Sequence, residues 1–217
     1  EVLSTISSIS KKVLFFDDYD RLDYPKGVVV SLKNIEYDFN NFGIIRKDLR
    51  KPSKQVVNPV IKKVIIMLGG TDHKSISDEI AISLCKQHKG IHFYLMGKTS
   101  LKVSKPHNLT LIGDINAKDY ADLLQRIDFG VIQSSQSSLE LIQQRIPFIS
   151  IKNARNQQYI ADFLRTLKIE VIDYNNIDEI QYSFMNHLDF NKRKKLFDNM
   201  LRYDFNGQKK CIDLVMK

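Results

Sequence analysis

The chain has 217 residues, of which 43% are hydrophobic and 27% are charged, and its formal net charge is +8. This composition is ordinary for a soluble globular protein, and no apolar run approaches the roughly 20 residues that cross a bilayer. Because the basic residues are scattered and no aromatic-basic RNA motif accompanies them, the charge indicates a solvated surface biased toward anionic small ligands or an anionic membrane face rather than nucleic acid. The two cysteines, Cys85 and Cys211, lie far apart in the sequence and form no Cys-x-x-Cys pair, which favours a reducing, cytoplasmic setting.

The first 50 residues differ from the rest of the chain. After a helix-like start they contain two strand-like runs, VLFFDDYD at 13–20 and GVVVSL at 27–32, which are too few to form a domain. Residues 51–59, which include two prolines, are predicted to be a linker. Because the chain begins with Glu1 rather than Met, we expect residues 1–50 to be the end of a truncated N-terminal Rossmann-like domain and residues 60–217 to be a second, complete domain.

From residue 60 onward, predicted strands and helices alternate. The strands lie at 64–68, 91–97, 108–113, 129–133, 147–151 and 170–174, and the helices lie near 74–88, 117–127, 138–144 and 156–168, with two or three more closing the chain. Strands this apolar are buried on both faces, which implies a parallel sheet covered by helices. The predicted fold class is therefore α/β, with a Rossmann-like doubly wound parallel sheet.

A glycine turn follows the first strand of this domain. Strand 64–68 meets Gly69 and Gly70, then Thr71 and Asp72, and then a helical pattern. This geometry points free backbone N–H groups and a helix N-terminus at one place, which favours a phosphate. The alternative is a tight strand-to-helix turn that holds no ligand and is capped by Thr71 or Asp72.

A serine-rich segment follows the strand at 129–133. It contains Ser137 and Ser138 near the start of a helix, with Glu140 one turn into it. Ligands of open α/β sheets bind outside the carboxyl ends of the strands. There, serine hydroxyls and helix N–H groups can share a diphosphate, and a carboxylate can accept hydrogen bonds from ribose hydroxyls. The alternative is a serine cap in which Glu140 closes a capping box on Ser137.

An amide pair, Asn156 and Gln157, follows the strand at 147–151 after a short loop. Both side chains can bridge sugar or phosphate oxygens. The alternative is that Asn156 caps the next helix. None of the five histidines pairs with an obvious nucleophile or carboxylate in the sequence, so the residues by themselves indicate no catalytic group.

The order of these segments resembles the UDP-sugar hydrolases of pseudaminic acid biosynthesis, the PseG-type enzymes, which remove UDP from a 2,4-diacetamido-trideoxy sugar. These enzymes are similar in fold to the lipid II-forming N-acetylglucosaminyltransferase, with two Rossmann-like domains and the ligand between them, an arrangement called GT-B. The matching segments are VLFFDDYD (13–20), GIIRKDL (43–49), IIMLGGTD (65–72), the run 127–151, Asn156-Gln157 and DFNGQKK (204–210). The resemblance implies that residues 60–217 form the nucleotide-sugar-binding domain.

The resemblance also implies roles for individual residues and no cofactor or bound metal. The implied substrate-binding residues are Gly69, Gly70, Thr71 and Asp72 in the phosphate turn, Ile115 at the uracil, Ser137 and Ser138 at the phosphates, Glu140 at the ribose, and Asn156 and Gln157 at the sugar and β-phosphate. One departure concerns the serine segment, where this family usually carries glycine or alanine in place of Ser134, Ser135 and Gln136. Larger residues there imply a less close approach of the phosphate to the backbone.

A second departure concerns catalysis. In this family a general-base histidine lies in a glycine-rich loop of the N-terminal domain, and no residue before position 60 supplies that loop here. Since general acid–base catalysis contributes about 10²–10⁴-fold, we expect this chain to bind a UDP-sugar but to be a poor catalyst without an N-terminal domain as its partner. Two alternatives stay open: the donor-binding half of a GT-B glycosyltransferase, and a non-catalytic nucleotide-sugar-binding module of a fused enzyme of surface-glycan synthesis.

Overall fold

The computed structural model of the protein describes residues 14–17, 28–31, 43–69, 76–97 and 104–205, together with residues 207, 209, 212 and 213. The chain divides into two compact units. The first unit combines residues 1–45 with residues 204–217, and the second contains residues 46–203. This division differs from the predicted one, because the C-terminal tail groups with the beginning of the chain rather than with the second domain.

The first unit contains two parallel strands, β1 (Leu14–Asp17) and β2 (Val28–Ser31), which pair in register from Leu14 beside Val28 onward. The strands predicted at 13–20 and 27–32 are therefore confirmed over their central residues. Within the same unit, the Gly207 amide donates a hydrogen bond to the Gly43 carbonyl oxygen at 3.0 Å, which ties the tail to this unit. The predicted helix-like start of the chain lies outside the described residues.

The second unit begins with a 3-10 helix at Lys47–Leu49 and then alternates strands with helices. Its strands are β3 (Lys63–Met67), β4 (His92–Met96), β5 (Leu109–Ile112), β6 (Phe129–Gln133), β7 (Phe148–Lys152) and β8 (Val171–Asp173). Its helices are α1 (Ile76–Gln87), α2 (Ala117–Leu124), α3 (Gln136–Gln144), α4 (Gln158–Thr166), α5 (Ile177–Asn186) and α6 (Phe190–Met200). A second 3-10 helix, Arg155–Gln157, precedes α4.

The six strands form one parallel sheet in the order β5-β4-β3-β6-β7-β8. The chain first builds outward from β3 to β5 and then returns to the other side of β3 to begin again at β6. This reversal of direction defines a doubly wound sheet, with its switch point between β3 and β6. The predicted fold class is therefore confirmed.

The sheet is buried on both faces, as its apolar strands require. One face packs with α1 and α5 in a core cluster that includes Val64, Ile66, Phe93, Leu95, Phe129, Val131, Ile149, Ile151, Ile80, Leu84, Ile180 and Phe184. The strand residues between these, such as Ile65 and Ile132, are also fully buried. At Gly130 an added Cβ would lie 2.6 Å from Leu141 Cδ2, so α3 approaches β6 closely on this second face. Cys85 of α1 belongs to the core as predicted, and burial raises the pKa of its thiol to about 12.

Three helices of the second unit begin at side-chain caps. Asn116 precedes α2, Asn176 precedes α5 and Asp189 precedes α6, and each accepts a hydrogen bond from the backbone N–H three residues later. Such caps satisfy one of the free N–H groups at a helix start and typically stabilise it by about 1 kcal/mol. No helix among the described residues is long and apolar enough to cross a membrane.

Residues 51–59, predicted to be a linker, form no helix or strand but are bound to the second unit. The Ser53 hydroxyl donates to the Gln144 carbonyl oxygen at 3.3 Å, and the Gln144 side-chain amide donates to the Lys51 carbonyl oxygen at 2.9 Å. Asn58 donates to the carboxylate of Asp128, just before β6. These hydrogen bonds to α3 and to Asp128 hold the segment against the second unit.

Candidate functional site

The candidate site lies at the carboxyl ends of the central strands. Met67 at the end of β3 pairs with Ile132 of β6, so the turns that follow these two strands emerge side by side at the switch point. In open α/β sheets a crevice forms there, because the connections on either side lead to opposite faces of the sheet. Both turns that the sequence analysis singled out begin at this crevice.

Gly69 and Gln133 bring the two turns into contact. Gly69 has a φ of +87°, and a Cβ at this position would overlap the Oε1 atom of Gln133. Glycine is therefore required both by the backbone conformation and by the close approach of the Gln133 side chain. The rest of the predicted glycine turn, Gly70, Thr71 and Asp72, lies outside the described residues.

A chain of amide hydrogen bonds extends from Gln133 along the edge of the sheet. Gln133 Nε2 donates to Asn153 Oδ1 at 2.6 Å, and Gln157 Nε2 donates to the same oxygen at 2.9 Å. The Asn153 backbone N–H donates in turn to Gln157 Oε1 at 2.9 Å. The amide of Gln157 thus braces the loop after β7, while Asn156 is exposed within the 3-10 helix.

The alternative interpretation of Asn156 as a helix cap is wrong. The residue that immediately precedes α4 is Gln157, with no capping hydrogen bond from its side chain, and the 3-10 helix begins after Ala154. Gln133 and Asn153 were not among the predicted site residues. Their position at or just after the carboxyl end of a strand is the signal that could have identified them.

A cavity of about 170 Å³ opens beside the switch point, at the ends of β3, β4 and β5. Its lining residues are Arg46, Met67, Met96, Gly97, Gly113, Asp114, Ile115, Tyr120 and Ser137. Two predicted site residues, Ile115 from the loop after β5 and Ser137 from the first turn of α3, thus share one cavity. The methionines and the tyrosine provide apolar walls, and Ser137 and the backbone of the loop before α2 provide polar groups.

The serine segment forms a capped helix start. Ser135 precedes α3, and the Ser138 hydroxyl donates to the Gln133 carbonyl oxygen at 2.9 Å while it accepts from the Ser135 backbone N–H at 3.4 Å. Ser138 is fully buried, so its hydroxyl is engaged within the turn. The predicted capping box of Ser137 with Glu140 is wrong, because the helix begins two residues earlier than expected and Ser138 occupies the third helical position.

Glu140 is fully buried behind two residues that line the cavity. Arg46 Nε lies 2.9 Å from Glu140 Oε1, and the Tyr120 hydroxyl donates to Glu140 Oε2 at 3.2 Å. The Arg46 guanidinium carbon also lies 5.1 Å from the centroid of the Tyr120 ring, within the range of a cation–π interaction. Among the described residues, Oε1 has this ion-pair partner but accepts no hydrogen bond.

Burial dominates the electrostatics of this group. It raises the pKa of Glu140, while the positive charge of Arg46 and the hydrogen bond from Tyr120 act in the opposite direction. Burial and the neighbouring carboxylate raise the pKa of Tyr120, so its hydroxyl stays protonated and remains a donor. Burying a carboxylate lowers the stability of the fold, because a partly exposed arginine compensates only part of the lost solvation. Buried groups of this kind concentrate at functional sites.

A second, more open depression of about 510 Å³ lies at the ends of β7 and β8. Lys152 at its edge is paired with Asp173 at 2.6 Å and donates to Gln158 Oε1 at 2.8 Å. Arg165 contacts the other oxygen of Asp173 at 3.2 Å. Lys152 and Arg165 thus share the Asp173 carboxylate, and Arg155 adds a further positive charge to the lining of this depression.

Solved structures identify the fold of this arrangement. The chain is similar to MurG from Acinetobacter baumannii, with a TM-score of 0.56 and 13% identity over 98% of this chain and 62% of that one. The UDP-GlcNAc 2-epimerase from Neisseria meningitidis bound to UDP-GlcNAc has a TM-score of 0.56 and 12% identity over 72% and 44% of the two chains. The spinosyn rhamnosyltransferase SpnG complexed with thymidine diphosphate has a TM-score of 0.54 and 13% identity over 91% and 54%.

The fold is that of the GT-B glycosyltransferases. At these identities the likeness establishes the fold alone. The chain spans between 44% and 62% of the length of these three structures. No family model matches the chain, and no curated protein matches it.

Asp114 lines this cavity and Glu140 lies behind it, while no described histidine lines it. Within the described ranges, no three His, Cys, Asp or Glu residues are placed to hold a metal ion together. The described histidines, His88, His92, His107 and His187, all lie outside the cavity lining. The described part of the site presents a carboxylate, amides, a serine hydroxyl and a helix start.

Proposed function

We propose that the second unit binds a UDP-sugar at the switch point of its sheet, and that the protein takes part in hydrolysis of such a sugar to release UDP. The observation that carries this proposal is a fully buried carboxylate, Glu140, next to a small cavity at the edge where ligands of doubly wound sheets bind. A soluble domain has little structural reason to bury a carboxylate against an exposed arginine.

The cavity suits the nucleoside part of the ligand. Its volume of about 170 Å³ leaves room for several water molecules, and its walls are partly apolar, as a nucleobase requires. The uracil would lie between Met67 and Met96 and meet the backbone near Ile115. The ribose would then reach Glu140, provided that Arg46, whose side chain is 55% exposed, moves aside.

The diphosphate would lie across the two turns. The α3 N-terminus and the Ser137 hydroxyl offer donors on one side, and the backbone N–H groups of the predicted glycine turn would face the diphosphate from the other. We propose that Gly70, Thr71 and Asp72 complete this second side. Ser138 would contribute by holding the turn in shape, since its hydroxyl bonds the turn itself.

The sugar would lie beyond the phosphates, near Asn156 and Gln157. Asn156 is exposed and available to a ligand, and Gln157 orients the same loop through Asn153. In hydrolysis, the helix start and the serine turn would stabilise the charge that develops on the departing UDP. The sequence resemblance favours a 2,4-diacetamido-trideoxy hexose as this sugar.

A glycosyl transfer reaction is the second candidate, favoured by the likeness to MurG and to the rhamnosyltransferase SpnG. The two reactions differ in where the sugar goes. If UDP-sugar is supplied in water labelled with heavy oxygen, a hydrolase places the label on the anomeric carbon of the free sugar. A transferase would instead move the sugar to an added acceptor. Labelled free sugar would then form no faster than by spontaneous hydrolysis.

The binding proposal is tested by calorimetric titration with UDP, UMP and ATP side by side. We expect UDP to bind most tightly, because UMP lacks the second phosphate and ATP carries a different base. UDP should also raise the melting temperature of the protein, and Glu140→Ala should abolish this rise, while Glu179→Ala on the exposed side of α5 should retain it. An unchanged response to UDP in Glu140→Ala would remove the ribose assignment.

A further inference from the structure

Tyr120 connects three elements at the edge of the proposed nucleotide site. It belongs to α2, its side chain is almost entirely buried, and its ring lines the cavity. Its hydroxyl donates to Glu140 Oε2 of α3 at 3.2 Å and lies 3.6 Å from Met67 Sδ at the end of β3. The hydroxyl therefore fixes the Glu140 carboxylate relative to the strand that leads into the glycine turn.

The two oxygens of Glu140 are held in different ways. Oε2 accepts a hydrogen bond from a buried tyrosine, whereas Oε1 lies 2.9 Å from the Nε of Arg46 without a hydrogen bond from the described residues. Arg46 can withdraw, because its side chain is 55% exposed and its guanidinium can be solvated. Tyr120 cannot withdraw without opening the core. Movement of Arg46 thus frees Oε1 while Oε2 stays in place.

We propose that Tyr120 is the positioning residue of this site and determines its preference for ribose over deoxyribose. The inference rests on the proposed function and goes beyond it. By holding Oε2, Tyr120 directs Oε1 toward the space that Arg46 vacates, where it accepts a hydrogen bond from a ribose hydroxyl. A carboxylate fixed in this way discriminates against a ligand that lacks the hydroxyl, because its buried oxygen would then have no partner.

The test compares UDP with 2′-deoxy-UDP by calorimetry. We expect the wild-type protein to bind UDP more tightly than 2′-deoxy-UDP by about tenfold, the size of one charge-assisted hydrogen bond. In Tyr120→Phe this ratio should fall to about twofold, mainly through weaker binding of UDP, because the freed carboxylate rotates. The matched control is Tyr94→Phe on β4, which should keep the full ratio. The Tyr94 ring lies tilted against His92, with 4.9 Å between the ring centroids, and does not line the cavity.

A purely structural role for Tyr120 would weaken both ligands equally and leave the ratio unchanged, and that result would overturn the inference. Glu140→Gln could bind UDP and 2′-deoxy-UDP equally well while Tyr120→Phe still prefers UDP about tenfold. That result would support the ribose contact of Glu140 and contradict the positioning role of Tyr120. If the wild-type protein does not bind UDP, the proposed function itself falls.

A second variant keeps the test independent of the folding of Tyr120→Phe. Glu140→Asp retains the charge but draws the carboxylate away from the Tyr120 hydroxyl by about the length of one methylene group. We expect the same loss of discrimination between UDP and 2′-deoxy-UDP. If Glu140→Asp keeps the wild-type preference for UDP over 2′-deoxy-UDP, the inference is contradicted. An unchanged preference in Tyr120→Phe would contradict it equally.

Discussion

Glu140 shows at the scale of one residue how ligand binding and stability can oppose each other. Its carboxylate is fully buried, and burial raises its pKa above the ordinary value for glutamate. At a pH between the unfolded and the folded pKa, Glu140 therefore holds a proton in the folded protein that it has already released in the unfolded chain. From the unfolded pKa of about 4.3 upward, this difference lowers the free energy of unfolding as the pH rises toward the folded pKa.

The pH dependence gives a prediction for Glu140→Gln. As the pH rises from the unfolded pKa of about 4.3 toward the folded pKa, the melting temperature of the wild-type protein should fall relative to that of the variant, because only the wild type must ionise a buried group. Calorimetric scans of both proteins without ligand measure this difference. Glu179→Gln, which removes an exposed carboxylate, should run nearly parallel to the wild type, and a parallel course for Glu140→Gln would contradict the prediction.

At the scale of elements, the strand-turn-helix segments place the site. The apolar run at 64–68 predicts a buried strand from composition alone, and the structure confirms it as β3 at Lys63–Met67. The turn after it needs Gly69, because a φ of +87° is unfavourable for any residue with a Cβ and because Gln133 fills the adjacent space.

Gly69→Ala should therefore be costly in two ways. We expect it to lower the free energy of unfolding by roughly 1–2 kcal/mol, since the left-handed backbone strains an alanine. It should also weaken UDP binding, since Gln133 must move away from the turn. Chemical denaturation and titration with UDP measure the two effects. Gly90→Ala is the matched control, because a Cβ there meets no atom within 4 Å. Equal stability of the two variants would contradict the expectation.

At the scale of the whole second unit, Arg193 joins the beginning of the domain to its end. It is fully buried in α6, and its guanidinium donates to the carbonyl oxygens of Asn58 and Pro59 before β3 at 2.9 and 2.7 Å. It also donates to the carbonyl oxygens of His187 and Leu188 between α5 and α6 at 2.8 and 2.7 Å. A single side chain thus satisfies four carbonyl groups from two distant parts of the chain.

Arg193→Met tests how much these four hydrogen bonds stabilise the second unit. The variant keeps most of the buried apolar stem but leaves the carbonyl groups without their donor, so we expect a loss of about 3 kcal/mol. For a unit of this size that corresponds to a fall in melting temperature of roughly 6–12 °C. The neighbouring Lys194→Met removes only an exposed pair with Asp198 and should change the melting temperature little. Similar melting temperatures for the two variants would show that the four hydrogen bonds of Arg193 contribute little to the stability of the second unit.

Sequence reasoning predicted the elements better than their contacts. Ile115 and Ser137 were expected to serve one ligand, and the structure places both in one cavity. Sequence reasoning did not identify Arg46 and Tyr120 as the partners of Glu140. Both come from outside α3, and nothing in their local sequence pattern points to that helix. Gln133 and Asn153 were missed as site residues for the same reason, since their contact depends on β6 and β7 being neighbours.

By itself, the sequence determined the doubly wound α/β architecture of this protein. Runs of apolar residues separated by helical periodicity leave a parallel sheet with covered faces as the arrangement that buries them. Only the tertiary structure decided that Glu140 is buried behind Arg46 and Tyr120 and that the tail groups with the first unit. The physical reason is that periodicity reports which side of an element is buried, whereas the identity of the group it meets depends on strand order and on distant segments.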